Sequence, residues 1–231
     1  MKKFCCLLLF FVLIVSSAFA ASEQTSTLEK DRQLQKHISD IGLKIVNANK
    51  IDVRMVFVYK FEDDKIKLEP SLTKRQIVVY DNNMQFTEND DEIAALLSRD
   101  IIKTAESYTG FWRGFITSAQ IKCAPKKYEI FFDKRAVDFM VAAGYNPLAM
   151  ITYMNKAFPQ KRYDKISRTN LTSKRLANVY EYIYTKYPIY LQNNKYIKNE
   201  SYQNFLLTSQ ENRKKLHEKI KSGSKKAAKY E

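Results

Sequence analysis

The sequence is poor in the residues that most often build catalytic centres. Its 231 residues include two histidines, three cysteines and five glycines. The histidines, His37 and His217, lie far apart in the chain, so no cluster of three metal-ligating side chains is apparent. Five glycines leave no glycine-rich phosphate-binding loop. A nucleophilic role for Ser98 is disfavoured because no histidine base lies near it in the sequence.

The first 20 residues have the pattern of a secretory signal peptide. Lys2 and Lys3 precede an uncharged apolar run, and Ala18-Phe19-Ala20 matches the pattern of a cleavage site. The run is short for a bilayer anchor, which needs about 20 residues. We therefore expect cleavage after residue 20 and export to the periplasm or the extracellular space. Cys123 is then the one cysteine left, which excludes an internal disulfide.

The chain is strongly basic, with a formal net charge of +14. Charge of this sign favours anionic surfaces such as phospholipid, cell-wall polymer or nucleic acid. Residues 212–231 carry eight lysines or arginines against two glutamates. Aromatic residues alternate with lysines from Tyr180 to Tyr202, which can suit nucleic acid, but a solvated helix face is the favoured interpretation. Frequent lysine, asparagine, tyrosine and isoleucine also fit an A- and T-rich genome, so charge alone identifies no partner.

Hydrophobic periodicity predicts an α+β domain with a small sheet and a helical bulk. The predicted strands cover residues 53–59, 75–80 and a short stretch at 84–86, with a turn at 81–83. The predicted helices cover residues 28–49, 87–105, 127–143, 145–157, 172–186 and 200–221, and residues 222–226 are expected to be frayed and solvated. Gly144 and Pro188 are expected to end two of these helices.

The helix at 87–105 has the strongest start signal. Thr87 or Asn89 can cap it, and Asp90, Asp91 and Glu92 bring negative charge to the first turn, where the helix dipole favours it. We therefore favour a capping role over acid–base chemistry for these three carboxylates.

Four segments occur in an informative order. They are Asp91–Leu97, the pair Glu129 and Asp133, Ala143–Pro147, and Leu171–Asn178. In this order they resemble four motifs of the HtpX-like and CAAX-prenyl-protease-like zinc metallopeptidases, which are family forty-eight of the metallopeptidase classification. The four motifs are the flank of HExxH, the ExxxD motif, the AGYDP flank and the THPxTxxRIxN stretch. The similarity covers roughly residues 28–190. It implies a helix-rich, zincin-type domain over residues 21–190. The residues that follow, 191–231, are expected from their own pattern and charge to form a basic helical extension.

The metal-binding positions depart from the family pattern. The resemblance aligns Arg99 and Lys103 with the two histidines of HExxH, and Asp100 with its glutamate base. A later family histidine falls on Thr169. Because guanidinium and ammonium groups offer no lone pair to a metal, we expect no zinc, no other cofactor and no peptidase activity.

The same cations can replace the metal charge. Two neutral histidines, one glutamate and Zn²⁺ carry a net charge of +1, and so do Arg99, Lys103 and Glu129. We hypothesise that both cations pair with Glu129 and that Asp133 or Asp100 joins them. The alternative is that these side chains face solvent.

The favoured interpretation is an exported pseudopeptidase with a binding or scaffold role in the cell envelope. A protein or peptide can bind its cleft by strand addition at Arg75–Tyr80. Two alternatives stay open: a zinc metalloendopeptidase with atypical ligands, and a binder of anionic envelope surfaces through the basic C-terminal segment. Nucleic acid is a less favoured partner.

Overall fold

The structure, a computed structural model, describes residues 29–60, 75–107, 125–158, 172–224 and 226–230. The predicted signal peptide, Cys123 and Thr169 lie outside these ranges. The elements in chain order are α1 (residues 29–48), β1 (Val56–Lys60), β2 (Gln76–Tyr80), α2 (Asp81–Met84), α3 (Asp90–Ser107), α4 (Pro125–Ala142), α5 (Ala149–Ala157), α6 (Thr172–Lys186), α7 (Ile189–Gln192), α8 (Glu200–Thr208) and α9 (Gln210–Lys221). The predicted α+β class, with a small sheet and many helices, is confirmed. None of the described helices is both long and apolar enough to cross a bilayer.

The two strands pair in parallel, with Val56 opposite Gln76 and Lys60 opposite Tyr80. The alternating burial of β2 follows from the two-residue period of a strand. The predicted turn at 81–83 takes the form of a single helical turn, α2, whereas the predicted strand at 84–86 is wrong, because residue 84 belongs to that helical turn and residues 85–86 form a turn. The carbonyls of the helical turn accept local amides, as in the 3.1 Å bond from the Gln85 N–H to the Asp81 oxygen, and so are not available to a strand ladder.

One hydrophobic core joins the sheet to the helices. α3 packs against α4 and α5, α4 packs against α6, and α5 packs against α6 and α8. The largest fully buried side chains come from α1, β2, α3, α4, α5, α8 and the residue before α5; they are Tyr153, Tyr202, Phe132, Phe205, Ile38, Ile45, Ile77, Leu97, Ile101, Ile102, Met140 and Leu148. Every residue of α3 from 91 to 102 is buried, so its polar side chains are enclosed with its apolar ones.

The helix predictions are accurate where a strong stop signal exists. α6 has the predicted bounds, and α4 ends two residues before Gly144, which has a φ of 79°. α5 begins at Ala149, later than predicted, because the Asn146 side chain accepts the N–H of Leu148 at 2.9 Å and holds a turn there.

The C-terminal segment packs on the body. The single helix predicted over 200–221 is broken at the buried Ser209, which lets α8 contact α5 while α9 contacts α6. Beyond α9, residues 222–224 and residue 226 are exposed, as expected, whereas Tyr230 is only 4% exposed. Its hydroxyl donates a 2.6 Å hydrogen bond to Glu181, which also binds Lys219. The last described residues are therefore anchored to α6.

Gly42 allows α1 to lie directly on β1. A Cβ atom at this position would lie 2.5 Å from the ring of Phe57. We expect Gly42→Ala to lower the free energy of unfolding by about 1–3 kcal/mol, because the overlap outweighs a gain of about 1 kcal/mol in helix propensity. Urea denaturation measures the change. In a Phe57→Leu background the same substitution should cost less, and an equal cost in both backgrounds would show that the ring is not the cause.

Candidate functional site

Helices α3, α4 and α6 bring five charged side chains to the point where they meet. α3 supplies two cations and α4 two carboxylates, in each case four residues apart and therefore on one helix face. The first turn of α6 supplies a third cation. The five residues, which we name the ion network, are Arg99, Lys103, Glu129, Asp133 and Arg175.

Asp133 is the centre of the ion network, and its side chain has an exposed fraction of 0%. Arg175 binds it through two parallel contacts, Nε to Oδ2 at 2.7 Å and Nη2 to Oδ1 at 2.8 Å. The Nε of Arg99 lies 2.7 Å from Oδ1. Burial alone would raise the pKa of Asp133, but Arg175 and Arg99 outweigh it and hold that pKa below its usual value. Asp133 is therefore a buried anion between two guanidinium groups.

Glu129 is the outer carboxylate of the ion network. Its Oε2 accepts a hydrogen bond from Nη2 of Arg99 and lies 3.6 Å from Nη2 of Arg175, while its Oε1 lies 3.3 Å from Nζ of Lys103. Burial raises the pKa of Glu129, and the three cations lower it further than burial raises it. The pairing of both α3 cations with Glu129 is thus present in the structure, and neither cation points away into solvent.

Asp100 behaves differently from Asp133. It is 6% exposed, and among the described residues no cation lies within ion-pair distance of its carboxylate. Burial raises its pKa to about 6, although Lys103 and Arg99 act in the opposite direction. Of the two further carboxylates that the sequence offers, Asp133 joins the ion network and Asp100 lies beside it.

The two histidines take no part in the ion network. His37 pairs with Asp90 at the surface, at 2.8 Å, and the His217 ring lies 6.0 Å from that of Tyr184. Ser98 is buried on α3, and its hydroxyl has no hydrogen-bond partner among the described residues. Within the same residues, no group of three histidine, cysteine or carboxylate side chains is placed to hold a metal ion.

The carboxylates at the start of α3 have structural partners. Asn89 caps the helix by accepting the N–H of Glu92 at 3.2 Å. The buried Glu92 carboxylate also accepts from the hydroxyl of Thr152 at 2.6 Å and from Lys156 at 2.7 Å, both on α5. Asp91 accepts the N–H of Asn146 at 2.9 Å. Asp91 and Glu92 therefore attach the first turn of α3 to α5 and to the turn before it, in addition to their place at the helix start.

Arg175 is the member of the ion network that sequence reasoning missed. It lies in Leu171–Asn178, the stretch matched to the last family motif, but no role was assigned to it. The signal was available, because that family stretch contains an arginine at the matching place. The structure adds a role, since Arg175 is the bidentate partner of Asp133.

Comparison with known proteins supplies no relative: no protein-family model, curated protein or solved structure matches the chain. The metallopeptidase resemblance therefore remains a prediction from the motifs. The geometry of the ion network stands independently of it.

We expect Asp133→Asn to be strongly destabilising. The substitution leaves Arg99 and Arg175 enclosed without their shared anion, and breaking a buried ion pair from one side costs about 3–5 kcal/mol. Urea denaturation at pH 7 measures the loss. Asp40→Asn on α1 removes the same charge from an exposed position and should change stability by less than about 0.5 kcal/mol. Equal effects of the two substitutions would contradict the central place of Asp133.

The raised pKa of Asp100 predicts that the free energy of unfolding depends on pH. Folding raises the pKa of this group from its ordinary value of 3.8 to about 6, so between these values the folded chain binds the proton more firmly than the unfolded chain. The contribution of Asp100 to stability therefore falls as the pH rises through this window. Asp100→Asn should raise the free energy of unfolding at pH 7 by on the order of 1–3 kcal/mol and change it little near pH 4.

Unfolding curves of the wild type and the Asp100→Asn variant at both pH values test this prediction. Asp40→Asn is the matched control, because it makes the same substitution at an exposed position. A variant that is less stable than the wild type at pH 7 would contradict the prediction, since it would mean that the ionised Asp100 is a favourable partner of the cations.

Proposed function

We propose that the protein is an exported, non-catalytic metallopeptidase-like protein in which the ion network takes the place of a zinc centre. One observation carries this proposal. The two α3 residues that align with the zinc-binding histidines, Arg99 and Lys103, contact Glu129 of α4, which aligns with the glutamate ligand. A pair of motifs that bind one metal in the family would thus be joined by direct ion pairs in this chain.

The charge balance supports this substitution. A zinc ion with two histidines and one glutamate has a net charge of +1, as have Arg99, Lys103 and Glu129. Asp133 and Arg175 add one charge of each sign and leave the total unchanged. A cation in place of the metal keeps the buried carboxylates from being unpaired, which would be costly.

The same contacts argue against hydrolysis at this site. A general base must be free to accept a proton, and its pKa should lie near the working pH. Glu129 and Asp133 are both bound by arginine, and the pKa of each is lowered. Arginine cannot lower the pKa of a bound water as a metal does, and no histidine lies in the ion network.

A pseudopeptidase acts by binding, and we propose a protein or peptide of the cell envelope as its partner. The candidate surface is β2, which has β1 as its neighbour in the described sheet and packs beside α3. An extended peptide can add to such a strand through main-chain hydrogen bonds.

Zinc binding tests the proposal. We expect the purified wild type to hold no stoichiometric zinc. The triple variant Arg99→His, Asp100→Glu, Lys103→His restores the family motif next to Glu129 and should bind one zinc ion per chain, measured by isothermal titration calorimetry with circular dichroism as the check on folding.

The matched control replaces Arg99 and Lys103 by glutamine in the same Asp100→Glu background, and it should bind no zinc. A folded triple variant that binds no more zinc than this control would contradict the family assignment. Stoichiometric zinc in the wild type, lost to a chelator together with peptidase activity, would instead establish an enzyme with atypical ligands.

A further inference from the structure

We infer that Arg99, Lys103 and Arg175 form a carboxylate-binding site, which Glu129 occupies in the resting protein and which the carboxylate of a ligand can take over. The ligand class is a molecule with a free carboxylate, such as a peptide with an unblocked C-terminus. This inference uses the contacts of the ion network alone and does not need the metallopeptidase resemblance.

Burial within the ion network is graded from the inside outwards. The exposed fraction of the side chain is 0% for Asp133, 5% for Arg99, 9% for Arg175, 12% for Lys103 and 27% for Glu129. Glu129 is thus the member nearest to solvent. The two arginines lie behind it, fixed in position by their contacts to the enclosed Asp133.

The three cations carry more charge than Asp133, the carboxylate that holds the two arginines in place. Asp133 contacts Arg99 and Arg175, and Glu129 is the second carboxylate, which contacts all three cations. Removing the Glu129 carboxylate would take from the two buried arginines one of the anions that replace water around them, which is unfavourable. The site therefore retains a demand for one anion at the position where Glu129 now lies.

The contacts select a carboxylate in particular. One oxygen of Glu129 lies 3.3 Å from the Lys103 ammonium, and the other oxygen faces the two guanidinium groups. Two oxygens held on opposite sides of one carbon are the pattern that a planar carboxylate satisfies. Exchanging one carboxylate for another leaves the charge of the site unchanged.

The exchange needs little rearrangement of the protein. Glu129 lies near the start of α4, one helical turn before Asp133, and rotation of its side chain can vacate the site while Asp133 keeps the arginines in place. Because the internal carboxylate competes with any ligand, the apparent affinity of the site is its intrinsic affinity multiplied by the fraction of time that Glu129 leaves it free. Removing that competitor should therefore tighten ligand binding.

The experiment compares two probes, dansyl-triglycine with a free C-terminal carboxylate and its C-terminal amide, by fluorescence titration of the full chain. Glu129→Gln should bind the free acid about tenfold more tightly than the wild type does, a difference of about 1.4 kcal/mol. The amide should bind both proteins equally. The control Glu218→Gln removes the same charge from an exposed position on α9 and should leave both affinities unchanged.

Two results would overturn the inference. One is equal binding of the acid and the amide to Glu129→Gln, and the other is the same gain in affinity in Glu218→Gln as in Glu129→Gln, which would indicate a general charge effect.

If circular dichroism shows that Glu129→Gln does not fold, Glu129→Asp replaces it. That variant keeps the charge but shortens the reach of the carboxylate, so it should still bind the free acid more tightly than the wild type, and wild-type affinity would count against the inference. No metal enters this test, so its failure is distinct from a failure of the zinc experiment.

Discussion

A carboxylate with no exposed surface, that of Asp133, lies where α3, α4 and α6 meet. Moving an ionised carboxylate out of water costs several kcal/mol unless excellent partners replace the water. The partners here are Arg175 of α6 and Arg99 of α3, and their reach determines how closely the three helices approach. The same two arginines also contact Glu129, so Asp133 holds them in the positions from which they bind this second carboxylate.

This constraint also explains why α3 can be buried on all sides over residues 91–102. Its apolar side chains enter the common core. Two of its charged side chains, one toward each end of this range, have partners on other helices: Glu92 pairs with Lys156 of α5, and Arg99 pairs with Asp133 of α4. Each of these polar contacts joins a different helix to α3, so the polar side chains reinforce the packing that the apolar ones produce.

Sequence patterns predicted the elements well where one residue type imposes a local constraint. Gly144 takes a positive φ that ends the turn after α4, and Asn89 caps α3. Prediction of the helix bounds failed where tertiary contacts decide them. At Ser209 the helix breaks because α8 packs against α5 while α9 packs against α6. In the ion network, helical spacing placed Arg99 with Lys103 and Glu129 with Asp133. Arg175 lies 42 residues beyond Asp133 on another helix, and only the fold shows that it is the bidentate partner of this carboxylate.

A double-mutant cycle on Asp133 and Arg175 measures most directly whether the ion network governs the structure. Asp133→Leu and Arg175→Met, each alone, should lower the free energy of unfolding by about 3–5 kcal/mol, because each leaves a buried charge unpaired. Together they remove a matched pair, so the double variant should be more stable than the sum of the single losses predicts by about 2 kcal/mol or more. Losses that add within about 0.5 kcal/mol would contradict the claim, since they would show that the two side chains stabilise the protein independently.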